Sequence, residues 1–280
     1  MDHIDGMDGL MGARGLEGSP VDFAALLKRK GLYPAVAPLA ASPHGSGMVG
    51  AGRVEETQAT TILAFKFADG VLMAGDRRAT AGNTVVYDRA DKVLEIDRHS
   101  LMAIAGVPAT AWEMARVLEH SFQFYRRTQL QEMSLDGKVR ALSKLLRDNF
   151  GFVMQGVGIV VPIFATYDTG AQCARLYFYD AMGAQFEAAD YAVSGSGSPA
   201  VRSILYYENT WGKRPLKEIK REEAVILALR TLDTAAETDT ATGGVDRRGR
   251  VYPVVKIVSG SGIATLSDEE LAKIFKTEVK

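Results

Sequence analysis

From residue 60 onward, apolar positions fall into blocks with strand-like or helix-like spacing; before residue 60 they do not. Residues 61–67 and 71–74 are short, nearly continuous apolar runs joined by Ala68-Asp69-Gly70. That pattern predicts two strands of a hairpin. Gly82-Asn83 marks another turn. Residues 92–96 and 101–105 predict short strands around a polar turn, closed by Gly106. Over residues 109–126, Ala111, Met114, Ala115, Leu118, Phe122 and Tyr125 recur at helical spacing. Ser134 is a good N-cap for a second helix, with Leu135, Val139, Leu142, Leu145, Leu146 and Phe150 on its buried face.

Residues 160–167 and 174–179 predict adjacent strands, and residues 191–193 a short strand leading into Ser194-Gly195-Ser196-Gly197-Ser198. Helices are expected at 199–209 and 219–236, a strand at 251–258, and a last helix at 268–276 after Ser267. Strands in blocks separated by helix pairs argue for stacked layers rather than alternating βαβ units. Two sheets face to face, each with helices on its outer side, bury every apolar face.

Residues 1–59 have another texture. They hold ten of the 28 glycines and four of the nine prolines, too many for regular helix. One amphipathic piece, Val21 to Lys30, places Phe23, Leu26, Leu27 and Lys30 on one face, as a short docking helix would. This segment reads either as a disordered tail or as a removable pro-segment. The N-terminus carries Asp2, Asp5 and Asp8 and no basic-then-apolar block, so it is not a secretory signal.

Composition narrows the function. The net charge is −1, which gives no pull toward nucleic acid or an anionic membrane. No apolar run is long enough for a transmembrane helix. Cys173 is the only cysteine, so an intrachain disulfide is excluded; it is expected as a small buried hydrophobe in a reducing cytoplasm. His3, His44, His99 and His120 form no metal-ligand spacing, and no P-loop, HExxH or GxSxG occurs. A Ser-His-Asp triad therefore has no good candidate.

A hydrolase without a catalytic histidine needs another base. An α-amino group has a pKa of roughly 7.7–8.0. An N-terminal threonine carries that amine beside its hydroxyl, combining nucleophile and base in one residue. The Thr60-Thr61 pair, placed just after a glycine-rich leader, is a candidate once the preceding bond is cut. By itself the pair reads more readily as a β-branched strand start; the motifs downstream reverse that.

Further motifs carry a resemblance. Val71-Leu72-Met73-Ala74-Gly75-Asp76-Arg77-Arg78-Ala79-Thr80, then Asp91-Lys92-Val93 and Ile104-Ala105-Gly106, follow Thr60 at fixed spacing. Gly195-Ser196-Gly197-Ser198 and Asp239-Thr240-Ala241-Thr242-Gly243-Gly244 come later. With these, residues 60–280 resemble a 20S proteasome β subunit of the actinobacterial type with a long propeptide.

The resemblance implies an α+β fold, the four-layer αββα sandwich of N-terminal-nucleophile hydrolases. It implies a threonine endopeptidase with no cofactor or metal, working in the cytoplasm on unfolded proteins. Thr60 would be the nucleophile after autocatalytic cleavage at Ala59-Thr60 removes a propeptide of residues 1–59. Lys92 would depress the pKa values of Thr60, and Asp76 would hold Lys92. Ser196, Asp239 and Thr242 would bond the amine and relay protons. The Gly106 N–H would form the oxyanion hole and Thr80 would pair with substrate. Ala79, Ala90, Leu94, Ile104, Pro108 and Trp112 would line the specificity pocket, implying apolar or aromatic P1 residues.

The implied partners are α subunits and other β subunits in stacked seven-membered rings, and a ring-shaped ATPase. The actinobacterial character adds substrates marked by a small-protein tag. Two departures stand out: Ala59 replaces the family's usual glycine, and Pro108 has no N–H to offer substrate. Two rivals remain: the simpler bacterial ATP-dependent peptidase, which shares the Thr-Thr start and Gly82-Asn83-Thr84-Val85, and a non-catalytic ring subunit.

Overall fold

A computed structural model of the chain describes residue 30 and residues 60–81, 84–246 and 251–279. The expected docking helix at 21–30 and the proposed leader therefore lie, apart from Lys30, outside the described residues. In chain order come β1 (Thr61–Phe67), β2 (Gly70–Gly75), β3 (Ala79–Ala81), β4 (Thr84–Tyr87), β5 (Val93–Asp97) and β6 (Ser100–Ala103). Two long helices follow, α1 (Pro108–Gln129) and α2 (Leu135–Asp148), with the single turn α3 (Phe150–Val153). Then come β7 (Ile163–Asp168), β8 (Cys173–Tyr179), β9 (Gln185–Glu187) and β10 (Tyr191–Gly195). The chain ends with α4 (Ser198–Trp211), α5 (Arg221–Thr238), β11 (Val254–Ser259), β12 (Gly262–Thr265) and α6 (Asp268–Ile274).

One antiparallel sheet has the order β10-β1-β2-β11-β12 and the other β5-β6-β7-β8-β9; β3 and β4 form a separate hairpin. Three cores explain the near-continuous apolar runs. Ile62, Ala64, Val71 and Met73 from the first sheet meet Leu101, Ala103, Ile163 and Ala165 of the second. The alternate residues Leu63, Phe65, Leu72 and Ala74 pack outward on Val201 and Leu205 of α4 and Ala228, Leu229 and Leu232 of α5. On the other side, Met102 and Phe164 pack on Leu118 of α1 and Leu142 and Leu146 of α2. Both faces of each central strand are buried, so polar alternation is absent. The expected αββα sandwich is what the chain adopts.

Differences from the sequence reading have local causes. The hairpin β3–β4, β9 and β12 were not anticipated; each of their strands is short, and β4 and β9 are exposed along their length. Such edges carry no period-2 apolar signal. Ser134 does cap α2, accepting from the Gly137 N–H at 3.2 Å, but that helix ends at Asp148. Phe150 consequently falls on α3 and is 39% exposed rather than buried. Asn149 Nδ2 donates to the Gly158 carbonyl at 2.6 Å, tying the chain back at that break. Cys173 opens β8 and is half-buried, not fully enclosed. Among the described residues, no helix is long and apolar enough to cross a membrane.

Candidate active site

The site forms where β1 begins and β2 ends. Antiparallel register places Ile62 opposite Gly75, so the next residue, Asp76, donates its N–H to the Thr61 carbonyl at 3.1 Å. The Asp76 side chain is fully buried and has both oxygens saturated. Oδ1 accepts from the Thr61 N–H and from Lys92 Nζ, each at 2.8 Å. Oδ2 accepts from the N–H groups of Arg78 and Gly243, each at 2.9 Å. A carboxylate is the side chain suited to four converging donors.

Lys92 lies just ahead of β5, in the opposite sheet, and reaches across to Asp76. It also donates to the Arg78 carbonyl at 2.6 Å. Burial pushes the Lys92 amine below the ordinary lysine value, and the attraction of Asp76 offsets this only in part.

A second cluster gathers between the start of α4 and the end of α5. Asp239, which follows α5 directly, accepts from Ser196 Oγ at 2.6 Å, Thr242 Oγ1 at 2.5 Å and the Ala241 N–H at 3.1 Å. Burial would raise the Asp239 pKa, but these donors and the nearby Lys92 charge outweigh it and hold the carboxyl below its usual value. Ser196 also donates its N–H to the Thr60 carbonyl at 2.9 Å. The Arg78 guanidinium straps this loop by donating to the carbonyls of Thr240 and Thr242.

Thr60, Lys92 and Gly106 line one cavity of about 110 Å³ together with Ala79, Tyr87, Ala90, Ile104, Pro108 and Trp112. Its walls are mainly apolar. Gly106 sits at φ 114°, in a β-bridge to Val160, where a side chain would overlap the Ile159 carbonyl. Glycine is therefore required by both conformation and space. The bridge is made by the Val107 N–H to Ile159 and the Val161 N–H to Ala105, so neither bond uses the Gly106 N–H. Pro108 stands at the first position of α1, where a missing N–H costs nothing. Thr80 is buried on β3, which has a neighbouring strand on one side only.

The structure thus brings Thr60, Asp76, Lys92 and Gly106 to one cavity and its border, and Ser196, Asp239 and Thr242 to the adjoining side of Thr60. Leu94 is the exception among the expected pocket residues. It lines the neighbouring groove with Asp91, Glu95, Arg116 and Lys256, and Trp112 borders both spaces.

Tyr87 was missed. A bulge pairs Ala79 with Tyr87 but Thr80 with Val85, leaving Val86 as the extra residue and bringing Tyr87 to the cavity rim. Thr61 was noticed only as the neighbour of Thr60. Strand alternation was the available signal, because adjacent residues on β1 face opposite layers.

Comparisons with known proteins bear on this geometry. The family model described as "Proteasome subunit" matches residues 56–249. The chain is 35% identical over 226 residues to a proteasome subunit beta of Streptomyces griseus, covering 81% of this chain and 78% of the relative. It is 38% identical over 220 residues to proteasome subunit beta 2 of Thermomonospora curvata, covering 79% and 76%. A proteasome subunit beta of Streptosporangium roseum is 39% identical over 216 residues, covering 76% and 73%.

Proposed function

The chain belongs to the proteasome subunit family, and from that premise we propose that it is a catalytic β subunit, a threonine endopeptidase degrading unfolded proteins in the cytoplasm. What supports this most is the one cavity shared by Thr60, Lys92 and Gly106. Nucleophile, nitrogen base and oxyanion donor border the same apolar space.

The chemistry runs in two rounds. In the uncut chain the Thr60 nitrogen is an amide and cannot accept a proton. The first base must come from elsewhere, and Lys92, its pKa lowered by burial, is the group at hand. Thr60 Oγ attacks the Ala59 carbonyl carbon while its proton passes to Lys92. The peptide bond becomes an ester, the proton returns to the leaving nitrogen, and water hydrolyses the ester. Residues 1–59 depart and the amine is free. In the second round Thr60 Oγ attacks a substrate carbonyl, and the oxyanion meets the Gly106 N–H, a contribution of roughly 3–4 kcal/mol. The leaving amine takes the proton. The Thr60 amine, hydrogen-bonded by the Ser196–Asp239–Thr242 cluster, then activates the water that releases the acyl group.

Substrate lies along the free edge of β3 as an added strand, bonding the Thr80 backbone. The cavity takes the P1 side chain, and its walls favour an apolar one. Tyr87 at the rim limits its depth. Tyr87→Ala is expected to raise kcat/KM for large aromatic P1 residues relative to small ones by about 10-fold. A panel of fluorogenic peptides differing only at P1 measures this, and an unchanged ranking removes Tyr87 from specificity.

The partners are α subunits and further β subunits in stacked seven-membered rings, served by a separate ring ATPase. Intact-mass measurement of the particle assembled with α subunits, alongside peptide hydrolysis, tests the reading. A chain starting at Thr60 with activity is expected; a chain intact from Met1 without activity overturns it. Seven-fold symmetry in electron-microscope images separates it from the simpler six-fold peptidase.

Ala59 makes a further expectation. Self-cleavage folds the chain tightly about this residue, where a methyl group costs on the order of 1–2 kcal/mol in left-handed backbone. Ala59→Gly is expected to process faster, by about 5–30-fold. Intact mass followed over time after assembly gives the rate, and equal rates dismiss the steric argument.

A further inference from the structure

Thr61 is fully buried and contacts both charged clusters beside Thr60. Its N–H belongs to the Asp76–Lys92 side, donating to Asp76 Oδ1 at 2.8 Å. Any residue would supply that bond. Its hydroxyl belongs to the other side. Oγ1 accepts from the Gly197 N–H at 3.0 Å and lies 2.5 Å from Thr242 Oγ1.

The proton order along this chain follows from chemistry. The Asp239 carboxylate only accepts, so Thr242 spends its single proton on Asp239 Oδ2. The Thr242 oxygen is then the acceptor for Thr61 Oγ1–H. The Gly197 N–H donates to the remaining lone pair of Thr61. The sequence of bonds is Gly197 N–H to Thr61 Oγ1–H to Thr242 Oγ1–H to Asp239, which Ser196 Oγ–H meets from the far side. Every bond points the same way toward the carboxylate, so each donor polarises the next.

The packing confirms how tightly the chain is held. A side chain on Gly197 would overlap Thr61 Oγ1 and come within 2.7 Å of Thr242 Oγ1 and 3.3 Å of Asp239 Oδ2. Gly197 is thereby the lid on these oxygens. Only a hydroxyl on the β-carbon of residue 61 fits between an N–H donor and a hydroxyl acceptor at these distances.

We propose that the Thr61 hydroxyl is a positioning group for peptide hydrolysis, fixing Thr242 and through it the Asp239–Ser196 pair against the Thr60 amine. It touches no reacting atom. This rests on the reading of Thr60 as nucleophile and adds to it a second threonine with a separate task. The two neighbours divide the work because successive residues of an extended chain face opposite sides: Thr60 borders the cavity with Lys92, while Thr61 reaches Thr242.

Thr61→Val keeps the shape and removes the hydroxyl. With full-length chains assembled with α subunits, kcat for a fluorogenic peptide is expected to fall about 10-fold or more, a 1 Å misplacement costing on the order of 10²-fold. KM should stay within about twofold, since no substrate contact is lost. The acidic limb of kcat against pH should move to higher pH, because Thr242, which donates to Asp239, is no longer held in place by Thr61. Thr61→Ser restores the hydroxyl and should recover most of kcat and the original limb. A merely structural role for Thr61 would lower the amount of assembled particle without moving the limb.

A valine variant with wild-type kcat and a superimposable pH profile overturns the proposal. Where valine blocks assembly, Thr61→Cys provides the same measurement, its thiol being a weak donor and acceptor; wild-type kcat and profile there overturn it equally. A wild-type particle inactive at every pH overturns the peptidase reading itself, and this inference with it.

Discussion

Thr60→Ala is expected to bring peptide hydrolysis by the assembled particle to background, roughly 10⁴–10⁶-fold below wild type, and to leave residues 1–59 attached. Both losses would come from the one missing hydroxyl, because in the proposed mechanism self-cleavage and substrate cleavage use the same nucleophile. Thr60 borders the cavity with Lys92 and Gly106, and its hydroxyl is the one aliphatic hydroxyl among the described residues lining it. Its backbone contact with Ser196 remains in the variant: the Ser196 N–H bonds the Thr60 carbonyl, which alanine keeps. Folding and assembly should therefore be close to wild type. Thr60→Ser keeps the hydroxyl and should retain processing and a measurable part of kcat. Peptide assays and intact mass on the two variants decide the matter. Equal, background-level rates in the wild-type and alanine particles would mean that the subunit only scaffolds a ring.

Lys92 carries the next largest effect. Lys92→Ala is expected to cost about 10²–10⁴-fold in kcat, the usual range for removing a general base, and also to block leader removal. A stability loss comes with it. Asp76 would remain buried with one of its four donors gone, and breaking such a pair costs about 3–5 kcal/mol. A lower thermal midpoint would confuse the kinetics, so Lys92→Arg is the sharper variant. Arginine retains the positive charge beside Asp76 but stays protonated at any working pH. It should be as inactive as alanine at every pH while keeping more of the stability.

The pH dependence in the wild type has a definite sign. Burial lowers the Lys92 pKa, so its neutral, proton-accepting form gains population at lower pH than an ordinary lysine would. Processing should rise as pH increases through that lowered pKa and then level off. In the arginine variant the rise attributable to this group should vanish. Wild-type processing kinetics in Lys92→Arg would remove Lys92 from the chemistry and leave it as a structural counter-ion.

Asp76 illustrates how fully the surroundings constrain such a group. Donors approach both of its oxygens, two on each. Asparagine would turn an NH₂ toward two N–H donors, so even the isosteric change is unfavourable here.

The layer order was legible in the sequence because the apolar runs have the right lengths and are separated by helix pairs. Residues 61–67 and 71–74 read as strands because short, nearly continuous apolar runs lie on either side of a turn signal. Ser134 and Ser267 read as helix starts because capping is a local bond, made to an N–H three residues on in each case. The resemblance, whose motifs follow Thr60 at fixed spacing, singled out Asp76, Lys92 and Gly106.

What tertiary structure alone decided concerns bonds between residues far apart in the chain. The contact of Thr61 with Thr242 spans 181 positions, and that of Gly243 with Asp76 spans 167. No local pattern encodes either. Tyr87 reaches the cavity through a bulge between two three- and four-residue strands, too short for periodicity to register. Leu94 shares the apolar character of the pocket residues, yet it lines a different groove from the one that Thr60 borders. Composition and spacing identify which groups the chain carries and the layers they belong to. Packing the two sheets and their flanking helices together fixes which of them meet, because strand alternation and side-chain volume act only once the partner surfaces are in place.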